Sequence, residues 1–167
     1  MAKPAKSSDK NDSKSSDKPD IQSIARNKRA RFDYHILETW EAGIVLTGTE
    51  VKSLRGGRAN ISDAYGTIKD GEAFLLNLHI SQYERGGYTN HEPARTRKLL
   101  LHRKEIRRLI GAVEREGLTL IPLELYFKNG VAKVALALGK GKKLHDKRET
   151  ERSRDADREI ARIARAR

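Results

Sequence analysis

The sequence predicts a mainly β protein, a small antiparallel barrel or sandwich with helices packed on it, followed by a charged tail. Two dipeptides, Asp70-Gly71 and Asn129-Gly130, each separate two apolar stretches, which is the pattern of a tight β-hairpin. Apolar residues recur at helical spacing in one long segment that ends at Gly117. After residue 138 apolar residues are rare until Ile160, so the end of the chain has little to bury.

The N-terminal stretch Met1–Asp20 consists mainly of Lys, Ser, Asp and Ala, and we expect it to be disordered. The basic motif ARNKRAR follows at Ala25–Arg31. Aromatic and β-branched residues predict a strand over Phe32–Leu37 and a second over Ile44–Leu46. Residues Trp40–Gly43 are expected to connect these two strands.

A short helix is predicted directly after these strands. Thr47 and Glu50 have the spacing of a capping box, with a hydroxyl at the N-cap and a carboxylate three residues later. The helix is expected over Val51–Arg55 and ends at Gly56-Gly57, since glycine adopts the left-handed conformation that terminates helices. Basic residues around this helix form a candidate RNA face, with ordinary surface charge as the alternative: Lys52, Arg55 and Arg58.

The middle of the chain is expected to contain a hairpin, a loop and a further strand. Strands over Ala64–Ile68 and Ala73–Leu78 flank the Asp-Gly turn. The segment His79–Arg97 is interrupted by glycine and proline, which indicates a long surface loop. Lys98–Leu101 resumes as a strand.

The long helix is identified by Ile106, Leu109, Ile110 and Val113, which fall at i, i+3, i+4 and i+7. Gly117 ends it. Its opposite face is strongly basic and carries Arg103, Lys104, Arg107, Arg108 and Arg115.

The last hairpin joins Leu118–Lys128 to Val131–Leu138 through Asn-Gly. Pro122 has no N–H to donate, so its strand should lie at an edge or be bulged there. The predicted core residues come from all of these elements: Ile44, Leu46, Val51, Leu54, Ile61, Leu76, Leu100, Ile106, Leu109, Leu123 and Val134.

The net charge of +12 is unevenly distributed and favours nucleic acid as a partner. Residues 139–167 contain eleven Lys and Arg against six Asp and Glu, and therefore hold more than a third of the excess charge. Residues 1–20 are nearly neutral, with five Lys and four Asp. A merely basic, soluble protein is the alternative.

The sequence offers no convincing catalytic or metal-binding constellation, so we do not expect an enzyme, a cofactor or a metal site. There is no cysteine, and no two of the five histidines have metal-ligand spacing along a helix. His145-Asp146 is a possible acid–base pair, but adjacent residues on a helix are expected to point apart. His145 is better interpreted as a ring that stacks on an RNA base.

The tail after residue 138 has the charge pattern of a helix but little apolar surface. Arg154, Arg158, Arg162 and Arg165 form a basic stripe beside an acidic one. Because an isolated helix of this kind is marginal in water, we predict that it is unfolded when free and becomes helical on a polyanionic surface.

Targeting signals are not evident in the chain. No apolar run approaches the length of a membrane span, and the N-terminus lacks the apolar region of a secretory signal. A cytoplasmic protein without membrane association is expected.

Five motifs in order give the chain a specific resemblance: ARNKRAR, EAGIVLTGTEVKSLRGGRANISDAY, DGEAFLLNLHI, RTRKLLLHRKEI and GKGKKLHDKR. From about Ile24 to its C-terminus, the chain resembles the SmpB family, the SsrA-binding proteins of bacterial trans-translation. The resemblance implies an OB-like barrel and three regions: a disordered extension over 1–23, an RNA-binding barrel over 24–138, and a basic tail over 139–167.

The resemblance also implies a function and partners. A member of this family would bind the tRNA-like domain of transfer-messenger RNA (tmRNA), as a monomer. With elongation factor Tu, it would help alanyl-tmRNA into the empty A site of a stalled ribosome. Its tail would occupy the decoding centre beside the 16S rRNA of the small subunit and lie as a helix in the vacant mRNA channel. Nascent chains would then be tagged for proteolysis.

Site residues follow from the same resemblance. Glu41, Leu100 and His102 match positions that contact the tRNA-like domain; the basic set around the short helix is added as an RNA contact on its charge clustering alone. The tail contacts expected in the decoding centre and mRNA channel are Lys142, Lys143, His145, Asp146, Lys147, Arg148, Arg154, Arg158 and Arg162.

Two other functions stay open on the residues alone. A general RNA-binding or ribosome-associated protein would use the same barrel and tail with less specificity. A nuclease or RNA-modifying enzyme would need a rigid acid–base pair, which the sequence does not show.

Overall fold

The structure, a computed structural model, describes residues 20–165. The predicted disordered arm therefore lies outside the described residues, apart from its last residue, Asp20. Asp20 is paired at the barrel: its N–H lies 3.1 Å from the Asn129 Oδ1 atom, and its carbonyl accepts from the Asn129 N–H at 2.9 Å.

Strands dominate the described chain and four α-helices accompany them. The strands are β1 (Ile21–Arg26), β2 (Tyr34–Ile44), β3 (Ala59–Asn60), β4 (Tyr65–Lys69), β5 (Glu72–Leu76), β6 (His79–Ile80), β7 (Arg97–Leu100), β8 (Thr119–Lys128) and β9 (Val131–Gly141). The helices are α1 (Ala30–Asp33), α2 (Gly48–Arg55), α3 (Arg103–Glu116) and α4 (Leu144–Arg165), with a short 3-10 turn at Gly87–Thr89.

Six strands close into an antiparallel barrel in the order β8-β4-β5-β7-β2-β9, with β9 returning to β8. The closing contact between β4 and β8 is narrow and pairs Gly66 with Leu120. A side chain at Gly66 would place its Cβ 2.7 Å from the Leu120 Cβ atom, so glycine permits this approach. The predicted fold class, an OB-like antiparallel barrel with packed helices, is confirmed.

The core fills the barrel and continues beneath α3. Leu75, Leu125 and Leu136 have no exposed surface, and a second cluster joins Leu109 of α3 to Leu138 of β9. Four of the predicted core residues lie outside both core clusters: Leu76, Leu100, Ile106 and Leu123. The side chains of β5 alternate so that Leu75 faces inward and Leu76 is only half-buried, and Leu100 is 54% exposed on the outer face of β7.

The first long strand differs most from its prediction. β2 is continuous from Tyr34 to Ile44 and includes Trp40–Gly43, which we predicted as a connection, whereas Phe32 belongs to α1. The reason is non-local: β2 pairs with β9 over nearly its whole length, so ladder hydrogen bonds stabilise residues of modest β propensity such as Ala42. Val45 and Leu46 follow the strand.

The predicted turns are confirmed. Asp70-Gly71 and Asn129-Gly130 all have positive φ angles, as a type I′ hairpin turn requires. The register of β8 against β9 shifts just after Pro122, which is the predicted bulge.

The predicted helix ends are confirmed as well. The N–H of Thr47 donates to the Glu50 Oε2 atom at 2.8 Å at the start of α2, and Gly117 is left-handed at the end of α3.

The two expected boundaries of the barrel region lie within strands. Residues Ile21–Ser23, assigned to the disordered extension, pair with β8 as part of β1. At the other end β9 runs to Gly141, because Gly139 and Gly141 pair with Ile36 and Tyr34 of β2. The ladder with neighbouring strands therefore extends the folded region at both ends.

A buried ionic network holds the long loop between β6 and β7 against the barrel. Glu50 of α2 is fully buried and accepts hydrogen bonds from Arg95 and Arg97, the latter also fully buried. His91, also buried, bridges Thr49 Oγ1 at 3.0 Å and the Ile80 carbonyl at 3.1 Å. The loop is thus part of the rigid body. None of the helices among residues 20–165 is long and apolar enough to cross a membrane.

Candidate nucleic-acid interface

Glu41, Leu100 and His102 come together along one open groove. They lie on β2, on β7 and at the N-cap of α3, and they line a cavity of about 700 Å³ between the outer face of the barrel and α3. Alternation along β7 explains the geometry: Arg97 and Leu99 face the interior, so Leu100 must face the groove. Glu41, which is distant in the sequence from Leu100 and His102, therefore joins them on one surface.

The Glu41 carboxylate is surrounded by donors from β8 and β9. It accepts from the Tyr126 hydroxyl at 2.7 Å and from the Lys128 ammonium at 2.9 Å, and the Lys133 Nζ atom lies 3.5 Å away. The hydrogen bonds from Lys128 and Tyr126 lower the pKa of Glu41 below its usual value. This carboxylate is therefore ionised at neutral pH, and it holds two lysines at the edge of the groove.

The groove combines apolar surface with charges of both signs: its lining has four carboxylates, on Glu41, Asp70, Glu72 and Glu105, and four cations, on Lys98, Arg103, Arg107 and Lys133. Leu100 and Ile106 supply the apolar part, while Glu72, paired with Lys98, adds a carboxylate at one side. The remaining basic side chains along its lining are Arg103, Arg107 and Lys133. Such a surface suits RNA, because cations meet phosphates while apolar groups contact sugars and bases.

Sequence reasoning missed Tyr126, Lys128 and Lys133 as parts of this site. The sequence does contain a signal for two of them. Tyr126 and Lys128 alternate with the buried Leu125 and Phe127, and because successive side chains of a strand point to opposite faces, both lie on the outer face of β8. What the sequence does not show is that β8 and β9 bring them to Glu41.

The basic set on α2 forms a separate surface. The Lys52 Nζ atom lies 5.4 Å from the centre of the Tyr83 ring, and the Arg58 guanidinium pairs with Glu84 at 2.5 Å. Arg55 is exposed at the end of α2. Lys52 and Arg58 line a small cavity of about 140 Å³ of their own. The structure therefore does not bring this set together with Glu41, Leu100 and His102.

The tail residues divide into two groups. Those held against other groups are Lys142, Asp146, Lys147 and Arg154. Those that project from the protein surface are Lys143, His145, Arg148, Arg158 and Arg162. Of the second group, Arg158 makes only an intrahelical contact with Asp155 at 3.3 Å, so it is free to meet an RNA surface.

His145 and Asp146 do touch, contrary to the expectation that they point apart. The His145 Nε2 atom lies 2.7 Å from the Asp146 Oδ1 atom. The imidazole is nevertheless 74% exposed, so the pair lacks the enclosed setting in which acid–base catalysis is effective. Across residues 20–165, no group of three or more acidic or histidine side chains is placed to hold a metal ion.

A closed antiparallel barrel, a groove lined by cations and exposed apolar side chains, and a projecting helix with exposed arginines together define an RNA-binding barrel protein. The family model described as SmpB protein matches residues 24–166, and the chain belongs to this family.

Individual relatives agree with this assignment. An SsrA-binding protein of Nostoc punctiforme is 62% identical over 140 residues, which cover 83% of this chain and 90% of that protein. An SsrA-binding protein of Shouchella clausii is 58% identical over 144 residues, covering 86% and 92%. A chain in a solved tmRNA-SmpB structure from work on the centre of the bacterial ribosome is 57% identical with a TM-score of 0.60, covering 71% of this chain and 84% of that chain.

Proposed function

We propose that this protein binds the tRNA-like domain of tmRNA and delivers alanyl-tmRNA to the A site of stalled ribosomes in trans-translation. It would act as a monomeric, non-enzymatic adaptor, with elongation factor Tu carrying the charged RNA. The observation that carries the proposal is the convergence of Glu41, Leu100 and His102 in one groove, with Lys128 and Lys133 held at Glu41. The names of similar proteins, SsrA-binding protein and tmRNA-SmpB, support the choice of RNA.

The groove supplies recognition by three kinds of contact. Leu100 offers an exposed apolar surface to a base or ribose, and His102 offers a planar ring. The Glu41 carboxylate accepts from base amino or ribose hydroxyl groups while it holds Lys128 and Lys133 toward the phosphates. The set Lys52, Arg55 and Arg58 would form a second, separate RNA contact on α2.

The tail supplies the ribosomal contact. Helix α4 has 22 residues and is therefore about 33 Å long. Its exposed cations would meet the decoding centre through Lys143, His145 and Arg148 and the vacant mRNA channel through Arg158 and Arg162. The exposed Lys and Arg side chains of such a helix can pair with the phosphates of an RNA-lined channel, and the helix has little apolar surface that would need to be buried.

Truncation after Gly141 tests the division between barrel and tail. This end point keeps the ladder between β9 and β2 intact. We expect the affinity for tmRNA to stay within about threefold, since the groove is untouched, and tagging of stalled chains to be abolished. Loss of tmRNA binding on truncation would contradict the assignment of recognition to the barrel.

The control is competition with bulk tRNA at one fixed physiological salt concentration. An adaptor prefers the tRNA-like domain, whereas equal affinities would favour a general RNA-binding protein. A fixed salt concentration is necessary because every phosphate-neutralising protein loses affinity with salt.

A further inference from the structure

Tyr88 lies on the long loop between β6 and β7 and is the most exposed large apolar or aromatic side chain of the described residues. Its relative exposure is 110%, so the ring is open to solvent. A single exposed aromatic residue is ordinary on a protein surface, and exposure alone does not indicate a binding site. What distinguishes Tyr88 is the rigid loop that carries it and the cations beside that loop.

Hydrogen bonds close residues 83–90 into a compact segment, which we call the stapled loop. The Asn90 side chain spans it: its Oδ1 atom accepts from the Tyr83 N–H at 3.1 Å, and its Nδ2 atom donates to the Tyr83 carbonyl at 2.7 Å. The Gly86 N–H donates to the same carbonyl at 2.8 Å, and the Thr89 hydroxyl donates to the Gly86 carbonyl at 3.0 Å. The backbone on both sides of Tyr88 is therefore held in one conformation.

Two glycines directly before Tyr88 permit this conformation. Gly87 has a φ angle of 52°, in the left-handed region that favours glycine. A side chain at Gly86 would place its Cβ 2.7 Å from the Asn90 side chain, so glycine also allows Asn90 to close the loop. The loop is joined to the barrel by His91, which is buried and bound at both ring nitrogens. A backbone fixed in this way lowers the entropic cost of a contact made by the Tyr88 ring.

The stapled loop and α2 form one surface. The Ser53 hydroxyl of α2 donates to the Ser81 carbonyl at 2.5 Å, and the Ser81 N–H donates to the Arg58 carbonyl at 3.1 Å. The cavity between the two elements is lined by three cations and a single carboxylate: Lys52, Arg58 and Arg85 against Glu84. The lining of the groove at Glu41 has equal numbers of both signs, so the surface at the stapled loop is the more positive of the two.

An aromatic ring beside cations is the arrangement with which proteins bind unpaired RNA. Bases stack on the ring while Lys and Arg pair with phosphates, and a base inside a duplex is not available for such stacking. A protein partner would favour a cluster of exposed apolar side chains around the ring. Among the described residues of α2 and the stapled loop, however, Tyr88 is the only large apolar side chain that is exposed. These features favour RNA as the occupant.

We propose that Tyr88 stacks on an unpaired RNA base and that Lys52 and Arg85 pair with the phosphates next to that base. The site is separate from the groove at Glu41, and it adds a base contact to the charge contact proposed for α2. An unpaired base of the tRNA-like domain and one of ribosomal RNA share this chemistry, so both are tested. The role of the site in tmRNA delivery rests on the proposed function, but the stacking itself does not.

Tryptophan fluorescence detects the stacking directly, because a stacked base quenches indole emission. The chain has one Trp, so the variant Trp40→Phe/Tyr88→Trp carries a single indole, and Trp40→Phe alone gives the background. We expect loss of most of the emission on addition of the tRNA-like domain or of ribosomes without tmRNA, and no loss with an RNA duplex that lacks unpaired bases. The RNA that quenches identifies the source of the base. Unchanged emission with both, or equal quenching by the duplex, would overturn the proposal.

Substitutions of Tyr88 in the parent chain separate a stacked base from an apolar protein contact. Tyr88→Phe keeps an aromatic face and should retain the affinity for the quenching RNA within about twofold, whereas Tyr88→Leu should lower it by about tenfold. Because the ring is exposed, neither should change the melting temperature. Tyr65→Leu, at an exposed tyrosine of β4, is the matched control and should bind as the parent does. Full affinity of Tyr88→Leu would indicate an apolar protein contact and overturn the proposal.

Charge variants test the phosphate contacts. Arg85→Gln should weaken binding and reduce the slope of log affinity against log salt concentration by about 0.7, the value for one phosphate of a single strand. Glu84→Gln removes the one carboxylate of the cavity and should raise the affinity. Weakening by both variants would contradict the phosphate contacts. If the parent fails to prefer the tRNA-like domain to bulk tRNA, the proposed function fails, while quenching at position 88 still decides whether Tyr88 stacks on RNA.

Discussion

Glu41 is the residue whose role changes most once its neighbours are known. The family resemblance singled it out as a carboxylate facing RNA. The structure adds that Tyr126 and Lys128 donate hydrogen bonds to it, that the charge of Lys133 lies 3.5 Å away, and that these groups lower its pKa. A carboxylate at an RNA-binding groove thereby becomes reasonable, because it orders two lysines that can pair with phosphates.

Replacement of Glu41 by alanine is expected to weaken tmRNA binding by about tenfold, since it removes an acceptor and frees two lysines. The carboxylate is 38% exposed, so the melting temperature should fall by less than about 4 °C. Binding titration and thermal unfolding measure the two effects. Glu72→Ala, which removes another carboxylate of the same groove, is the matched control and should not weaken binding. Equal weakening in both variants, or a collapsed thermal transition in Glu41→Ala, would contradict the assigned role.

Single residues were only partly predictable from the sequence. Leu100 was assigned both to the core and to the RNA face, and only its phase on β7 decides between them. Tyr126 and Lys128 show the right alternation, but their meeting with Glu41 depends on which strands are neighbours. The alternation of side chains along a strand predicts which face of the sheet a residue occupies. Which residues it contacts there depends on the order of the strands in the sheet.

Among the elements, those fixed by local chemistry were predicted and those fixed by distant partners were not. Both Asn-Gly and Asp-Gly turns were found because positive φ angles have a strong sequence signature. The continuity of β2 depends on its pairing with β9, and β1 depends on β8, so neither is visible in its own residues. Helix α1 has only four residues, too few for a periodic pattern.

The tail helix is an element for which the contribution of its surroundings can be measured. A peptide covering residues 142–165 has little apolar surface to bury, so we expect little helix in water and a clear gain of helix on polyanionic RNA. Circular dichroism with and without RNA measures both. A control peptide with Gln in place of Arg154, Arg158 and Arg162 should show no gain. Equal helicity of the parent peptide with and without RNA would rule out the induced helix.

At the scale of the whole molecule, the described chain separates a rigid body from a projecting part. Hydrophobic burial and the ionic network around Glu50 hold the barrel, α2 and the long loop together. Helix α4 extends away from the barrel and carries many charged side chains, but it has no buried residue. The total charge of +12 and its concentration in the tail were readable from composition, whereas the network was not, because Arg95 and Arg97 lie 45 and 47 residues from their partner.

The network makes the stability of the rigid body sensitive to acid. Burial raises the pKa of Glu50, but hydrogen bonds from Arg95 and Thr47 and the charge of Arg97 outweigh burial, and the native pKa lies below the ordinary value of 4.5. A carboxylate with a lowered native pKa adds stability above its unfolded pKa, and this contribution is lost as pH falls through the native value. The relevant window therefore begins near pH 4.5 and extends downward.

Glu50→Gln tests this account. At pH 7 the variant leaves the buried Arg97 without its counter-charge, so the free energy of unfolding should fall by about 3–5 kcal/mol. The difference from the parent protein should shrink as pH falls below 4.5, because protonation makes the parent carboxyl resemble the amide. Urea unfolding at several pH values measures both quantities. Glu124→Gln, at a more exposed carboxylate that also has a lowered pKa, should give a much smaller loss at pH 7. A difference for Glu50→Gln that is constant with pH would show that Glu50 does not hold the barrel and the long loop together through its charge.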